Sequence, residues 1–236
     1  MSSFGSQHRH VMPDGVVVER LPLGYAAGRW WATFVYAPPA GRTFEAAESR
    51  RIGYTAWVHE PDGLLDCVSG AGGGNDDQFE HTWELVDKGA TRVSVGYGTG
   101  EADEVGSEQL VLEPGDRDPA FAVRLPDGSL VERLPLGHAR GSWRLRWVRS
   151  DVPAAEVARA YDQDEDDDGS MIRPGDRFVR LRYVDAPRWM GAGGAVGGAV
   201  QPFFTSVPDS VTHVEVDYLL DDELVATEVV PLPPSP

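Results

Sequence analysis

Cysteine, lysine and asparagine each occur once, as Cys67, Lys88 and Asn75. A lone thiol closes no disulfide within the chain, so nothing in the fold requires an oxidising compartment. The expected role of Cys67 is that of a small buried or half-buried thiol. No stretch approaches the roughly 20 apolar residues that a membrane helix needs, so no membrane partner is expected. The opening residues Met1 to His10 have no apolar segment of the kind a secretory leader carries. The cytoplasm is the expected location, with a virion component as the alternative. The scarcity of lysine and asparagine beside abundant arginine, alanine and glycine looks like coding bias in a GC-rich source.

Basic residues are also few for this length. Against 38 Asp and Glu stand 21 Lys and Arg, a net charge of −17, and each half of the chain is acidic. Such a surface repels a polyanion at long range, so no nucleic-acid partner is expected. Excess charge of one sign also keeps a chain soluble. The sequence contains no Gly-x-Ser-x-Gly elbow, no Gly-Lys-Ser/Thr loop and no His-Glu-x-x-His pair.

What the chain does contain is a repeat. Pro13-Asp14-Gly15-Val16-Val17-Val18-Glu19-Arg20-Leu21-Pro22-Leu23-Gly24 returns as Pro126-Asp127-Gly128-Ser129-Leu130-Val131-Glu132-Arg133-Leu134-Pro135-Leu136-Gly137. The offset of 113 residues continues through Gly28/Gly141 and Trp30/Trp143. Later, Val211 to Tyr218 matches Ala90 to Tyr97 at an offset of 121. The expected organisation is a polar, mobile lead-in (1–11), a first unit (12–114), a linker (115–121) and a second unit (122–233), which carries an acidic insertion near 162–169.

Within each unit the pattern is that of short strands. Turn signals such as Pro-Asp-Gly punctuate runs of alternating apolar residues every 8–12 residues or so. Strands are predicted near 16–18, 28–36, 53–60, 64–68, 79–86, 90–97 and 109–112. In the second unit they fall near 129–133, 142–149, 177–184, 200–206, 211–219 and 224–230. The prolines of Leu21-Pro22-Leu23 and Leu134-Pro135-Leu136 interrupt the ladder. The glycine runs at 70–74 and 191–194 read as flexible loops, and Pro153 to Tyr161 is the best helix candidate. The fold expectation is therefore all-β: two tandem antiparallel β-sandwiches from an internal duplication. By strand count and spacing alone each unit resembles immunoglobulin-like or fibronectin-like modules.

Four groups of residues are candidates for a site. Asp164-Glu165-Asp166-Asp167-Asp168-Gly169 has the opening of a calcium loop, in which Asp164, Asp166 and Asp168 would turn alternate carboxylates onto one cation. Gly175 stands where an EF-hand places its bidentate glutamate, so the competing reading is a solvated acidic loop. The glycine runs do not complete a dinucleotide fingerprint, because Asn75 and Val196 occupy its last position. Asp76, Asp77 and His81 could assemble a metal-assisted hydrolytic site. Trp31 faces opposite to Trp30 on its strand and Trp189 precedes glycines in a predicted loop. With Tyr54, these are the expected exposed aromatics of a contact surface.

These features favour a non-catalytic protein-interaction or assembly module over an enzyme, with no catalytic residues and no cofactor assigned. Its partner would be another protein or a second copy. One alternative is a small-ligand or carbohydrate binder that uses exposed tryptophan. The other is the metal-assisted hydrolase.

Overall fold

The computed structural model describes residues 8–44, 54–60, 63–64, 70–75, 78–85, 92–99, 104–112, 119–155, 179–183, 186–191, 193–194 and 200–234. The chain divides into two compact units, 1–118 and 119–236. Both are built of antiparallel sheets, and among the described residues only Ala154 and Ala155 are helical. The rest of the predicted 153–161 helix lies outside the described residues.

Unit 1 contains β1 (His8–Val11), β2 (Val17–Arg20), β3 (Gly24–Ala26), β4 (Arg29–Ala37), β5 (Tyr54–Glu60), β6 (Gly63–Leu64), β7 (Gly70–Asn75), β8 (Gln78–Leu85), β9 (Arg92–Thr99) and β10 (Glu104–Val111). A six-stranded sheet has the order β1-β2-β4-β8-β7 with β3 added on β4, and a four-stranded sheet has the order β10-β9-β5-β6.

Unit 2 contains β11 (Phe121–Arg124), β12 (Leu130–Arg133), β13 (Gly137–Ala139), β14 (Ser142–Ser150), β15 (Val179–Tyr183), β16 (Ala186–Gly191), β17 (Gly193–Gly194), β18 (Gln201–Pro208), β19 (His213–Leu220) and β20 (Glu223–Pro231). Its six-stranded sheet runs β11-β12-β14-β18-β17 with β13 on β14, and its four-stranded sheet runs β16-β15-β19-β20. The pairing order is thus the same in both units.

The repeated stretch makes the same local bonds twice. The Met12 amide donates to the Val16 carbonyl as the Leu125 amide does to Ser129, both at 2.8 Å. Asp14 Oδ1 accepts from the Val16 amide at 3.0 Å, and Asp127 Oδ1 from the Ser129 amide at 2.9 Å. Gly15 and Gly128 sit at φ 87° and 91°, a left-handed conformation that glycine adopts without the steric cost a side chain brings. After the proline break, the Leu21 amide donates to Thr33 and the Leu134 amide to Arg146, each at 2.9 Å. Ala27-Gly28 (φ 54° and 71°) and Arg140-Gly141 (54° and 68°) then turn β3 into β4 and β13 into β14 as two-residue hairpins with both φ positive.

Sequence reasoning passes over several of these strands. Residues 8–11 belong to β1, paired with β2 through His8↔Arg20 to Val11↔Val17, and are not a free lead-in. Phe121, placed in the linker, starts β11. The glycine runs are also not loops. Gly70–Asn75 is β7, at the sheet edge against β8, and Gly193–Gly194 is β17 against β18. Their register sets Gly70, Gly72 and Gly74 opposite Trp83, His81 and Phe79, and Gly193 and Gly194 opposite Phe204 and Phe203. Phe203 and Phe204 as cross-strand partners offset the poor strand propensity of Gly194 and Gly193.

In unit 2 the two sheets share one core. Trp143, Leu145, Trp147, Phe203 and Val207 from the six-stranded sheet pack with Val179, Leu181, Val214, Val216, Tyr218 and Val230 from the four-stranded sheet. Trp147 stacks on Phe203 with centroids 5.9 Å apart, and Phe121 on Tyr218 at 5.1 Å. Burying each such ring contributes on the order of 2–3 kcal/mol. Leu21 and Leu134, and Trp30 and Trp143, are buried at corresponding positions.

Candidate functional site

Three arrangements of described polar side chains are candidates for a site. The first joins the two sheets of each unit. Arg20, at the end of β2, places Nε 2.7 Å from Glu108 Oε1 and Nη2 3.2 Å from Oε2 on β10. Its Nη1 donates to the Leu21 carbonyl at 3.1 Å. Arg133, at the end of β12, repeats this with Glu228 of β20. Its Nη2 lies 2.6 Å from Oε1, its Nε 2.9 Å from Oε2, and its Nη1 donates to Leu134 at 3.4 Å. In unit 2 the network extends inward. Tyr218 Oη donates to Glu228 at 2.9 Å and accepts from Trp147 Nε1 at 3.2 Å. Burial raises the Tyr218 hydroxyl well above the usual tyrosine range, and the neighbouring Glu228 charge raises it further. The phenol therefore stays protonated and serves as a donor. These pairs are nearly enclosed and bidentate, so their chemistry is that of a tie.

The second arrangement is specific to unit 2. Arg149 is fully buried; its Nε donates to Ser129 Oγ at 2.9 Å and its Nη2 to Asp127 Oδ2 at 2.5 Å. Burial acts to raise the Asp127 carboxyl. The Ser129 hydroxyl and amide and the Arg149 charge outweigh it, and the group lies below the usual range. The offset of 113 puts Tyr36 and Val16 at the corresponding places in unit 1, both buried. Arg149 and Ser129 of unit 2 thus stand where unit 1 has Tyr36 and Val16.

The third is His138 of β13, whose Nε2 lies 2.7 Å from Asp209 Oδ1 and whose ring meets Trp143 edge-on at 5.0 Å. Tyr25 and Trp30 make the same edge contact in unit 1, at 5.2 Å. The shared ring contact makes His138 part of the hairpin packing.

Trp31 is not an exposed aromatic. It is fully buried and its Nε1 donates to the Ala26 carbonyl at 3.0 Å, because β3 doubles back beside it. Its neighbours on the same face of the sheet, Thr33, Val35, Glu80, Thr82 and Glu84, are buried too. Thr33 and Thr82 share a hydroxyl hydrogen bond of 3.0 Å, and Arg29 pairs with Glu84. The corresponding Arg144, Arg146 and Val148 of unit 2 are likewise buried, and Arg146 Nη2 donates to the Pro135 carbonyl at 2.7 Å. Both central strands are covered on both faces. The continuous run Trp30-Trp31-Ala32-Thr33-Phe34-Val35-Tyr36 is the signal that points to this, since a half-exposed strand alternates.

Trp189 stands in β16, in register with Arg182, and not in a loop. Tyr54 opens β5 opposite Thr99; its side chain, like that of Trp189, lies outside the described residues. So do Asp164, Asp166 and Asp168, and Asp76 and Asp77. His81 is paired with Phe34 on β4, and burial lowers its pKa to about 4, so it is a neutral base at ordinary pH. Among the described residues no group of three or more His, Cys, Asp or Glu could hold a metal ion. No helix described is long and apolar enough to cross a membrane.

Sequence reasoning misses the exposed edge of β20. This strand ends the four-stranded sheet of unit 2, and among the described strands only β19 pairs with it. Leu224 and Val229 on it are 60% and 59% exposed.

No family model and no curated protein matches the chain. The crystal structure of the conserved domain protein from Bacillus anthracis aligns over 96% of this chain and 90% of its own, at 9% identity and a TM-score of 0.27. A likeness this loose carries no argument about the present chain.

Proposed function

We propose that the chain is a non-catalytic protein-interaction or assembly module, made of two immunoglobulin- or fibronectin-like β-sandwiches that arose by duplication. The same pairing order in both units and the repeated turn, cap and ion-pair contacts support the duplication. The shared core of the two unit 2 sheets supports the sandwich. Many of the described charged groups tie a unit together, as in Arg20–Glu108, Arg133–Glu228 and Arg149–Asp127. The observation that carries the functional reading is β20, a nine-residue edge strand with two large aliphatic side chains in solvent. Natural sheets blunt such edges when nothing is to pair with them.

The test is light scattering of the intact chain over a concentration series, together with a pull-down using it as bait. The reading expects a mass above 25.7 kDa or a reproducible partner. A strict monomer that captures nothing counts against it.

A further inference from the structure

We infer that two copies of this chain join edge to edge through β20, extending the four-stranded sheet of unit 2 into one continuous eight-stranded sheet; this rests on the assembly reading above. The starting point is a comparison of the two sheet edges within the molecule. Glu108 and Glu228 hold equivalent arginines, which aligns β10 with β20. Both strands carry an irregularity at the same place, between Glu104 and Gly106 and between Leu224 and Ala226, where Val105 and Val225 are the extra residues. Along this matched backbone, Gln109 corresponds to Val229 and Glu104 to Leu224. At these two positions unit 1 is polar, as expected of a strand that stays unpaired, and the exposed aliphatic of β10 is Val111 at its last residue. Unit 2 has replaced both residues with large aliphatics.

The occupant follows from what β20 presents. Glu228 points inward to Arg133 and Val230 is buried, so the outward row is Thr227, Val229 and Pro231, all exposed, with Val225 half-buried before them. From Leu224 onward this row itself holds no carboxylate; opposite it on β19 stand Asp217, which accepts from Thr227 and pairs with Arg180, and Glu215. The row suits an uncharged, β-branched row like itself. Antiparallel pairing about a two-fold axis perpendicular to the sheet keeps each outward row beside its own copy, because alternate residues keep their faces. Valine and threonine then meet across the join, a favourable cross-strand combination. The same symmetry carries the acidic turn Asp221-Asp222-Glu223 of one copy to the uncharged Pro231-Leu232-Pro233 end of the other, so like charges do not face each other. The turn itself, with φ 48° and 66° at Asp221 and Asp222, is a tight two-residue hairpin that leaves the edge unobstructed.

The test is sedimentation of the full chain and three variants. Wild type is expected to associate to twice its mass. Val229→Lys, at an exposed position, is expected to weaken association by about tenfold or more with the melting temperature unchanged. Val229→Thr, which keeps the branched shape, should associate like wild type. Gln109→Lys, at the matching edge of unit 1, should also do so. If Val229→Lys associates as tightly as wild type, the β20 inference falls while the assembly reading stands. If wild type stays monomeric throughout the series, the inference falls and only an interaction with a different protein remains. Association lost in Gln109→Lys instead would move the join to unit 1 and overturn the assignment.

Discussion

Arg133 and Glu228 meet across the interior of unit 2, with Nη2 2.6 Å from Oε1 and Nε 2.9 Å from Oε2, one residue on each sheet. Arg20 and Glu108 do the same in unit 1. The stretch that makes the repeat visible thus contains the residue that ties the two sheets of each unit together.

Breaking one side of this tie leaves a buried charge without its counter-charge. Glu228→Leu and Arg133→Met are each expected to destabilise unit 2 by about 3–5 kcal/mol. Arg133→Met combined with Glu228→Leu should recover most of that loss, because neither desolvated charge remains. Chemical denaturation of the three variants measures it. Additive losses in the double variant would contradict the enclosed-pair account.

Arg149 offers a second exchange. Arg149→Ala strands Asp127 and opens a cavity, and is expected to cost about 3–5 kcal/mol. Arg149→Tyr with Ser129→Val transplants the unit 1 pair Tyr36/Val16 and should restore much of the stability. The melting temperature is the readout. A double variant no better than Arg149→Ala would show that the two interiors are not equivalent.

His81 makes unit 1 sensitive to acid. Its folded pKa of about 4 lies below the ordinary 6.5, so the unfolded chain binds the proton more readily. The stability associated with neutral His81 is complete above pH 6.5 and is lost as pH falls from there toward 4, by roughly 2–3 kcal/mol. The register equates His81 with Phe203, through Phe34 and Trp147. His81→Phe should therefore flatten the stability curve between pH 6.5 and 4. Asp127, held low, loses its contribution only at more acidic pH. An unchanged pH profile in His81→Phe would contradict the assignment.

Much of the architecture is legible in the sequence, since Pro-Asp-Gly turns and alternating runs mark most of the longer strands. The strands it hides are those whose own residues do not favour them. His8-Arg9-His10-Val11 is a polar edge strand, Gly24–Ala26 is only three residues long, and Gly70–Asn75 has four glycines in six residues. Each is held in place by its neighbour. Trp31 shows a different limit. Alternation correctly sets it opposite Trp30, but the inference from opposite face to exposed face fails where both faces of the sheet are covered. The edge of β20 is invisible for the converse reason. Val225, Thr227 and Val229 look like core residues until the sheet order shows that nothing described lies beyond them.

The most direct test of the account is hydrogen exchange at β20 in concentrated and dilute solution. Alternate amides of this strand point away from β19 and have no ladder partner among the described strands. The account predicts that these outward amides, between Ala226 and Val230, exchange slowly when the chain is concentrated and quickly when it is dilute. Amides bonded to β19 should be protected at both concentrations. Outward amides that exchange equally fast at every concentration would contradict it.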